Sequence, residues 1–426
     1  MILKKIFPLI LLVLAFNCAK DNKVTNSQDY DTFLTTSIDS SELFANAEFW
    51  TKKLDGNSNQ FPYLAKRSGA YNQIFNSTGN IDYLIKAEKD LIKANELTQN
   101  DNAGLLKALA ANYISQHRFK EALELLKKAE VNGEKLNGTK KMLFDVHLEL
   151  GNYIYAESYL NEIKNTSDFD YLIRLAKWED HKGNLDGAIE NMEKAMEIAE
   201  RSNLKSLKQW SYTNIADFYG HAGEIQKSYD YFLKALELDP NDAYAKKGIA
   251  WILYSHENNP EEALKVLDHI NTYYTSPDYN LLKSEIADFS KNEGLKAESL
   301  QAYSEAIENN QYGEMYNKYN VMVYTEDLPD HDKAIAIAKR EIENRPTPQS
   351  YDLLAWSYFK KGDIDKANEI VETYVEGKTY EPDVLYHIAE IYKAAGKTDK
   401  VKPLKEELIA SLYELGPTMK SKVKSL

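Results

Sequence analysis

A chain of 426 residues corresponds to about three domains of ordinary size, unless it is assembled from repeats. Hydrophobic residues make up 43% of the chain, which is enough for a buried core, and only 18 glycines and 11 prolines are present. These numbers disfavour a turn-rich β protein and a disordered polymer, so a helical protein is expected. The net charge of -14, without any cluster of lysines and arginines, opposes binding to nucleic acid.

The first residues have the composition of an export signal. Lys4 and Lys5 precede an apolar run from Ile6 to Phe16. A membrane-spanning helix needs about 20 apolar residues, so this run is too short to be one. We therefore expect residues 1–17 to be a signal peptide. The only cysteine, Cys18, follows directly and has no partner for a disulfide within the chain.

The segment Leu14, Ala15, Phe16, Asn17, Cys18 resembles a bacterial lipoprotein signal, in which the cysteine receives acyl chains. Phe16 and Asn17 depart from the small residue that the pattern prefers, so ordinary cleavage with a free thiol is the alternative. Two or more acyl chains anchor a protein stably in a membrane. The resemblance implies lipidation of Cys18 and a cell-envelope location, as an outer-membrane lipoprotein that faces either the periplasm or the cell surface.

The residues between this signal and the repeats divide into two regions. Residues 18–38 are polar and lack apolar periodicity, which predicts a lipid-anchored flexible tether. Residues 39–102 are predicted to form an N-terminal helical cap and a degenerate repeat, with Ala87 and Ala94 in the second helix of a pair at 60–97. Gly79 precedes Ala87 by eight residues, whereas later repeats have five.

A helix-pair pattern then recurs at intervals of about 34 residues, and its clearest copy runs from Ile215 to Asp242. The second helix of each copy begins near a small residue, in the series Ala122, Ala156, Ala188, Ser228, Ala263, Ser299, Ala334, Ala367 and the degenerate Val401. Five residues earlier there is often a glycine suited to the turn, in the series Gly151, Gly183, Gly223, Gly294, Gly362 and Gly396.

This pattern resembles the tetratricopeptide repeat throughout. It implies an all-α, right-handed α-solenoid of tetratricopeptide-type helix pairs, with about nine repeats over residues 103–410. Small residues allow close helix packing, and no repeat buries its apolar face alone. Residues 411–426 are predicted to be a capping helix end and a basic tail, because Gly416 and Pro417 stop the helix before Lys420, Lys422 and Lys424.

No catalytic motif is found: the chain lacks a phosphate-binding glycine loop, a zinc-binding His-Glu-x-x-His helix and a serine elbow. We therefore expect no enzyme activity, no catalytic residues and no cofactor.

The resemblance instead directs attention to the concave groove, which first-helix residues line in this family. Position 13 of three successive repeats is occupied by His181, His221 and His256. Equivalent positions in adjacent repeats lie roughly 10 Å apart, too far to share one zinc ion, so no metal site is predicted. Two interpretations stay open, namely locally hydrogen-bonded imidazoles or a ladder that binds a ligand or senses pH.

Other groove positions change from acidic to aromatic along the chain. They are Asp145, Asp180, Asp217 and Asp288, followed by Tyr316, Tyr319, Trp356 and Tyr386. Our hypothesis is a membrane-tethered scaffold in the bacterial cell envelope that binds a protein or peptide partner, with a basic or extended segment along the acidic part. The alternative is an outer-membrane lipoprotein that captures a glycan or other small nutrient on the aromatic side chains.

Overall fold

The computed structural model describes residues 23–36 and 40–426, and all its regular structure there is helical. The chain begins with α1 (Ser27–Thr35) and α2 (Ser41–Asp55). Within the described ranges, no helix combines the length and hydropathy needed to cross a membrane. Residues 1–22, with the predicted signal peptide and Cys18, lie outside them.

Ten antiparallel helix pairs follow, and in each pair the two helices pack along their length. The pairs are α3 and α4 (Phe61–Thr78, Ile81–Leu97), α5 and α6 (Ala103–Ser115, Phe119–Asn132), α7 and α8 (Leu136–Glu149, Tyr153–Glu162), α9 and α10 (Phe169–His181, Leu185–Ser202), α11 and α12 (Lys205–His221, Ile225–Leu238), α13 and α14 (Ala243–Trp251, Pro260–Ile270), α15 and α16 (Pro277–Phe289, Glu293–Ile307), α17 and α18 (Asn317–Glu326, His331–Asn344), α19 and α20 (Pro348–Lys361, Ile364–Ile370), and α21 and α22 (Pro382–Ala394, Thr398–Ala410). Two short helices, α23 (Leu412–Leu415) and α24 (Met419–Ser425), end the chain.

The predicted all-α solenoid is confirmed, and the small residues of the repeat pattern show why the helices pair. Ala122, Ala156, Ala188, Ala263 and Ala367 are completely buried. A methyl side chain lets two helix backbones approach closely, and larger apolar residues then fill the space between neighbouring pairs. Nine of the pairs lie within residues 103–410.

Left-handed backbone at the turn explains most of the glycine pattern. Gly183 and Gly223, for example, have φ angles of 75° and 74°. Gly294, predicted to be a turn glycine, is an exception, because it lies inside the first turn of α16. The left-handed residue of that turn is Lys291, with φ 58°.

The solenoid winds far enough for its early and late pairs to touch. The backbone N–H of Thr275 donates to the carbonyl of Thr78 at 2.8 Å. Nη1 of Arg345 lies 3.0 Å from Oε2 of Glu149, across a sequence separation of 196 residues. Early and late pairs therefore contact each other directly, across long separations in sequence.

Residues 23–36 differ from the predicted flexible tether, because they fold against the middle of the solenoid. The N–H groups of Val24 and Thr25 donate to Oε1 of Glu257 at 2.8 and 2.7 Å. Tyr30 is 2% exposed, and its hydroxyl donates to Glu262 at 2.9 Å. The buried ring of Tyr30 and the carboxylates of Glu257 and Glu262 thus hold this segment in place, although its polar composition predicted a free linker.

The basic tail is also more ordered than predicted. Lys420, Lys422 and Lys424 belong to α24, which packs on α22. Val423 of this helix is completely buried in the core formed by the last repeats. One apolar side chain therefore makes α24 the end cap of the solenoid.

Candidate functional site

The groove contains two adjoining cavities, lined mainly by first helices of the pairs. The first has a volume of about 520 Å³, and the second about 830 Å³. Helices α13, α17 and α21 contribute to both cavities, and the residues common to both are Lys247, Trp251, Tyr319, Asp383, Glu414 and Leu415. The groove is thus one continuous site with two ends.

Charged and aromatic groups line the first cavity in close pairs. The hydroxyl of Tyr244 donates to Asp217 at 2.6 Å, and Lys318 lies 2.8 Å from Asp383. Burial raises the pKa of Asp217 to about 6, although the Tyr244 hydrogen bond and His221 act against it. The charge of Asp383, with its hydrogen bond, holds the pKa of Lys318 above its usual value despite burial. This end of the groove therefore presents both signs of charge.

His221 is the central charged group of the first cavity. Its Nδ1 lies 2.5 Å from Oε2 of Glu414, a residue of α23. Burial lowers the pKa of His221, but the hydrogen bond and charge of Glu414, with Asp217 and Asp180 nearby, outweigh burial and raise it to about 9. His221 is therefore a cation at neutral pH.

The second cavity is more acidic than the first. Eight aspartates and glutamates but only four lysines line it. Burial raises the pKa of Glu285 to about 7, even though the Tyr254 hydroxyl donates to its Oε1 at 3.0 Å. A cationic group that entered this cavity would meet an excess of carboxylates.

The segment Ser411–Thr418, named here the C-terminal arm, forms one wall of both cavities. Tyr413 lines the first cavity, Thr418 lines the second, and Glu414 and Leu415 line both. Oγ of Ser255 donates to the backbone carbonyl of Tyr413 at 2.6 Å. Part of the concave surface is thus covered by the chain itself.

Six of the eleven predicted groove residues line the cavities. Asp217 and His221 line the first, Asp288, Trp356 and Tyr386 the second, and Tyr319 both. Asp288 is paired with Lys296 at 2.8 Å. Tyr319 is 38% exposed, whereas Trp356 and Tyr386 are only 4% and 8% exposed.

The remaining five predicted residues do not line either cavity. Asp145 pairs with Arg174 at 2.6 Å, and Tyr316 is buried in the core with Tyr303. Asp180 is near enough to His221 to raise its pKa. His181 packs against the ring of Tyr153 with centroids 4.3 Å apart.

The predicted histidine row does not form a uniform ladder. His181 packs among aromatic rings, His221 pairs with Glu414, and His256 ends a π-helical extension of α13 at Ile252–His256. In the part of the chain that the structure describes, no three His, Cys, Asp or Glu side chains are placed to hold a metal ion.

Several lining residues were missed from the sequence. Tyr244, Lys247 and Trp251 lie on one face of α13. Their spacing of three and four residues could have identified this face from the sequence. Glu285 lies one turn before the predicted Asp288. No sequence signal linked Tyr413 and Glu414 to a helix almost 200 residues earlier.

The fold and the groove define a class of protein, the α-solenoid of tetratricopeptide-type helix pairs, whose concave surface suggests a protein-interaction scaffold. Residues 211–242, which include α12, match the tetratricopeptide repeat family. No curated protein matches the sequence.

Several solved structures are similar to part of this chain. The human IFIT1 dimer with m7Gppp-AAAA is 16% identical, with a TM-score of 0.47 over 76% of this chain and 75% of that chain. Pseudomonas aeruginosa PilF is 15% identical, with a TM-score of 0.37 over 51% of this chain and 97% of that chain. A tetratricopeptide repeat protein from Parabacteroides merdae is 18% identical, with a TM-score of 0.39 over 55% and 92%.

Proposed function

We propose that this protein is a membrane-tethered scaffold of the bacterial cell envelope that binds a segment of a partner protein in its groove. The observation that carries this proposal is the pair of adjoining cavities, which extend over six first helices from α11 to α21. A site of this length and mixed chemistry suits an extended or helical peptide better than a small molecule.

The charge of the second cavity supports a basic partner segment. Its excess of carboxylates includes Asp288 and Glu390, which lie on different first helices. Lysine or arginine side chains of the partner would be attracted to this end, and charge complementarity contributes mainly to specificity and association rate.

Glycan capture is not supported by the surroundings of Trp356. Its indole N–H donates to Glu326 at 2.8 Å, and its ring stacks on His387 with centroids 4.0 Å apart. Because this side chain is 4% exposed, its ring is not available as a platform for a sugar.

The tether is proposed to be lipid on Cys18, a residue outside the described part of the chain. The six residue-to-residue steps from Cys18 to Val24 span at most about 22 Å when fully extended. The backbone N–H of Val24 is hydrogen-bonded to Glu257. A lipid on Cys18 would therefore keep the part of the solenoid around Glu257 within that distance of the membrane. Cys18→Ser should move the protein from the membrane fraction to the soluble fraction and remove the acyl mass from the N-terminal peptide.

Groove binding is tested by protein capture from solubilised membranes. A variant with Asp288→Lys and Glu390→Lys reverses two charges of the second cavity. The matched control carries Glu298→Lys and Glu406→Lys, on the exposed sides of second helices α16 and α22. We expect the wild type and the control to retain the same partner and the groove variant to lose it. Equal capture by all three proteins would place the partner elsewhere.

A further inference from the structure

The C-terminal arm leaves the stacked repeats and crosses the groove before the chain returns to cap the last pair. Tyr413 packs against the core of the central repeats, whereas Leu412 and Leu415 pack against the core of the final repeats. No residue of α23 is buried. Val423 in α24 is the completely buried residue of the end cap, and Leu412 and Leu415 of the arm pack against the same core.

The aromatic ring of the arm fits a place where the groove has no side chain. A Cβ atom added at Gly220 would lie 3.0 Å from Cε1 of Tyr413. Because Gly220 has no side chain, the ring can lie this close to α11 without having to move. Oγ of Ser255 then fixes the backbone of the arm by donating to the Tyr413 carbonyl at 2.6 Å.

The next residue of the arm supplies a carboxylate to the central cation of the groove. Glu414 and His221 form the 2.5 Å contact described above. Charge-assisted hydrogen bonds of this kind are stronger than neutral ones and are sensitive to direction. Three separate contacts thus recognise an aromatic residue followed by a carboxylate. The ring lies against Gly220, the backbone carbonyl accepts from Ser255, and the carboxylate pairs with His221.

Gly416 completes the fit at the second cavity. A Cβ atom at this residue would lie 2.7 Å from Oε1 of Glu285, and its φ of +79° is one that L side chains rarely adopt. Oγ1 of Thr418 donates to the same carboxylate at 3.4 Å. The arm therefore occupies the groove in the way a bound peptide would, through side chains, backbone and a close glycine contact.

We propose that Gly220, His221 and Ser255 form a recognition site for a partner segment that presents an aromatic residue directly followed by a carboxylate, and that the C-terminal arm occupies this site until the segment displaces it. The inference rests on the proposed function, because it names the chemistry of the partner at the same groove. An attached arm competes at an effective concentration in the millimolar range, so a partner must bind better than the arm does.

The test uses a fluorescent peptide with the arm's own sequence, SLYELGPT, and the full chain with Tyr413→Ala and Glu414→Gln. These two changes weaken the attached arm and leave α24 in place. We expect the peptide to bind this variant at least about tenfold more tightly than it binds the wild type, because the wild-type site is occupied. Fluorescence anisotropy measures both affinities.

Two controls examine the chemistry of recognition. Adding His221→Ala to the double variant should weaken peptide binding about tenfold, and a peptide with glutamine in place of Glu414 should lose a similar factor. Should the double variant fail to fold, Glu414→Gln alone is used with the same measurements. The inference is overturned by a folded variant that binds no peptide, or by binding that is unchanged with His221→Ala.

The outcome separates this inference from the proposed function. Capture of a partner by the groove, together with no binding of the peptide, would overturn the inference and leave the scaffold function intact. Peptide binding without a captured partner would support the inference about the site while removing support for the scaffold function.

Discussion

The two ends of the described chain converge on the same repeats from different sides. The N-terminal segment, residues 23–36, packs against second helices α12 and α14, while the C-terminal arm contacts first helix α11 and the π-helical end of α13. The N-terminal segment buries Tyr30 to 2% exposure, whereas the four residues of α23 are only partly buried. We therefore expect the N-terminal segment to contribute more to the stability of the solenoid than the C-terminal arm does.

The largest effect is expected from Tyr30→Ala, which removes a buried ring from the central core. Truncation of a buried aromatic side chain costs about 3 kcal/mol or more. We expect faster hydrogen exchange in α12 and α14 and a lower unfolding temperature. Tyr155→Ala is the control, because Tyr155 is 62% exposed. Unchanged exchange in α12 would show that the N-terminal segment does not stabilise these repeats.

Glu257→Gln should release the N-terminal segment more selectively. The carboxylate accepts from the N–H groups of Val24 and Thr25 and from the hydroxyl of Thr25. Loss of its charge should cost about 1 to 3 kcal/mol, and limited proteolysis should then cut within residues 23–36. The C-terminal arm should keep its protection from exchange. Loss of protection in both ends would mean that they are coupled.

Gly416→Ala should loosen the C-terminal arm without affecting the N-terminal segment. The added methyl group would require a rarely adopted φ and would approach Glu285 too closely, at a cost of about 1 to 3 kcal/mol. We expect faster exchange in residues 411–418 and no change in α12. Gly377→Ala is a matched control, since that glycine also has a positive φ, of 68°, but has open space around it.

The smallest effect is a dependence of the arm on pH. His221 faces Glu414 on α23, Asp217 on its own helix, Asp180 on α9 and Glu381 before α21. Its pKa is raised to about 9, so its contribution to docking is fully present below about 6.5 and is lost as the pH rises through about 9. Solvent reduces this contribution, because the His221 side chain is 47% exposed.

NMR titration of the histidine rings measures this effect. One ring should titrate near pH 9, and its signal should be absent from a His221→Asn variant. In Glu414→Gln the same ring should titrate at a lower pH. An unchanged titration in Glu414→Gln would show that the arm does not hold the proton on His221.

Local sequence patterns predicted the fold well because each repeat depends on nearby residues. Two turns depart from the five-residue spacing between the left-handed turn residue and the small residue of the second helix. Lys291 precedes Ser299 by eight residues, and Gly79 precedes Ala87 by the same number. The extra three residues amount to nearly one helical turn, so the small residue stays close to the same face. The spacing that made the first pair look atypical is therefore a second form of the same turn.

The groove was less predictable, because its details depend on contacts between distant residues. Register assigned Asp217, His221 and Asp288 to the groove, and each of the three lines one of the cavities. Trp356 was placed on the right helix, but stacking on His387 buries its ring. The position of Tyr413 follows from the winding of the whole solenoid, which brings α23 to α11, and no local pattern encodes that meeting.

The most direct test of the central claim places a photo-crosslinking amino acid at Tyr319, which lines both cavities, and at Tyr155 as an exposed site that lines neither. We expect that irradiation in cells links a protein partner to the Tyr319 position and that Glu390→Lys reduces this product. Crosslinking of the same partner from Tyr155 alone would contradict the assignment of the groove as the binding site.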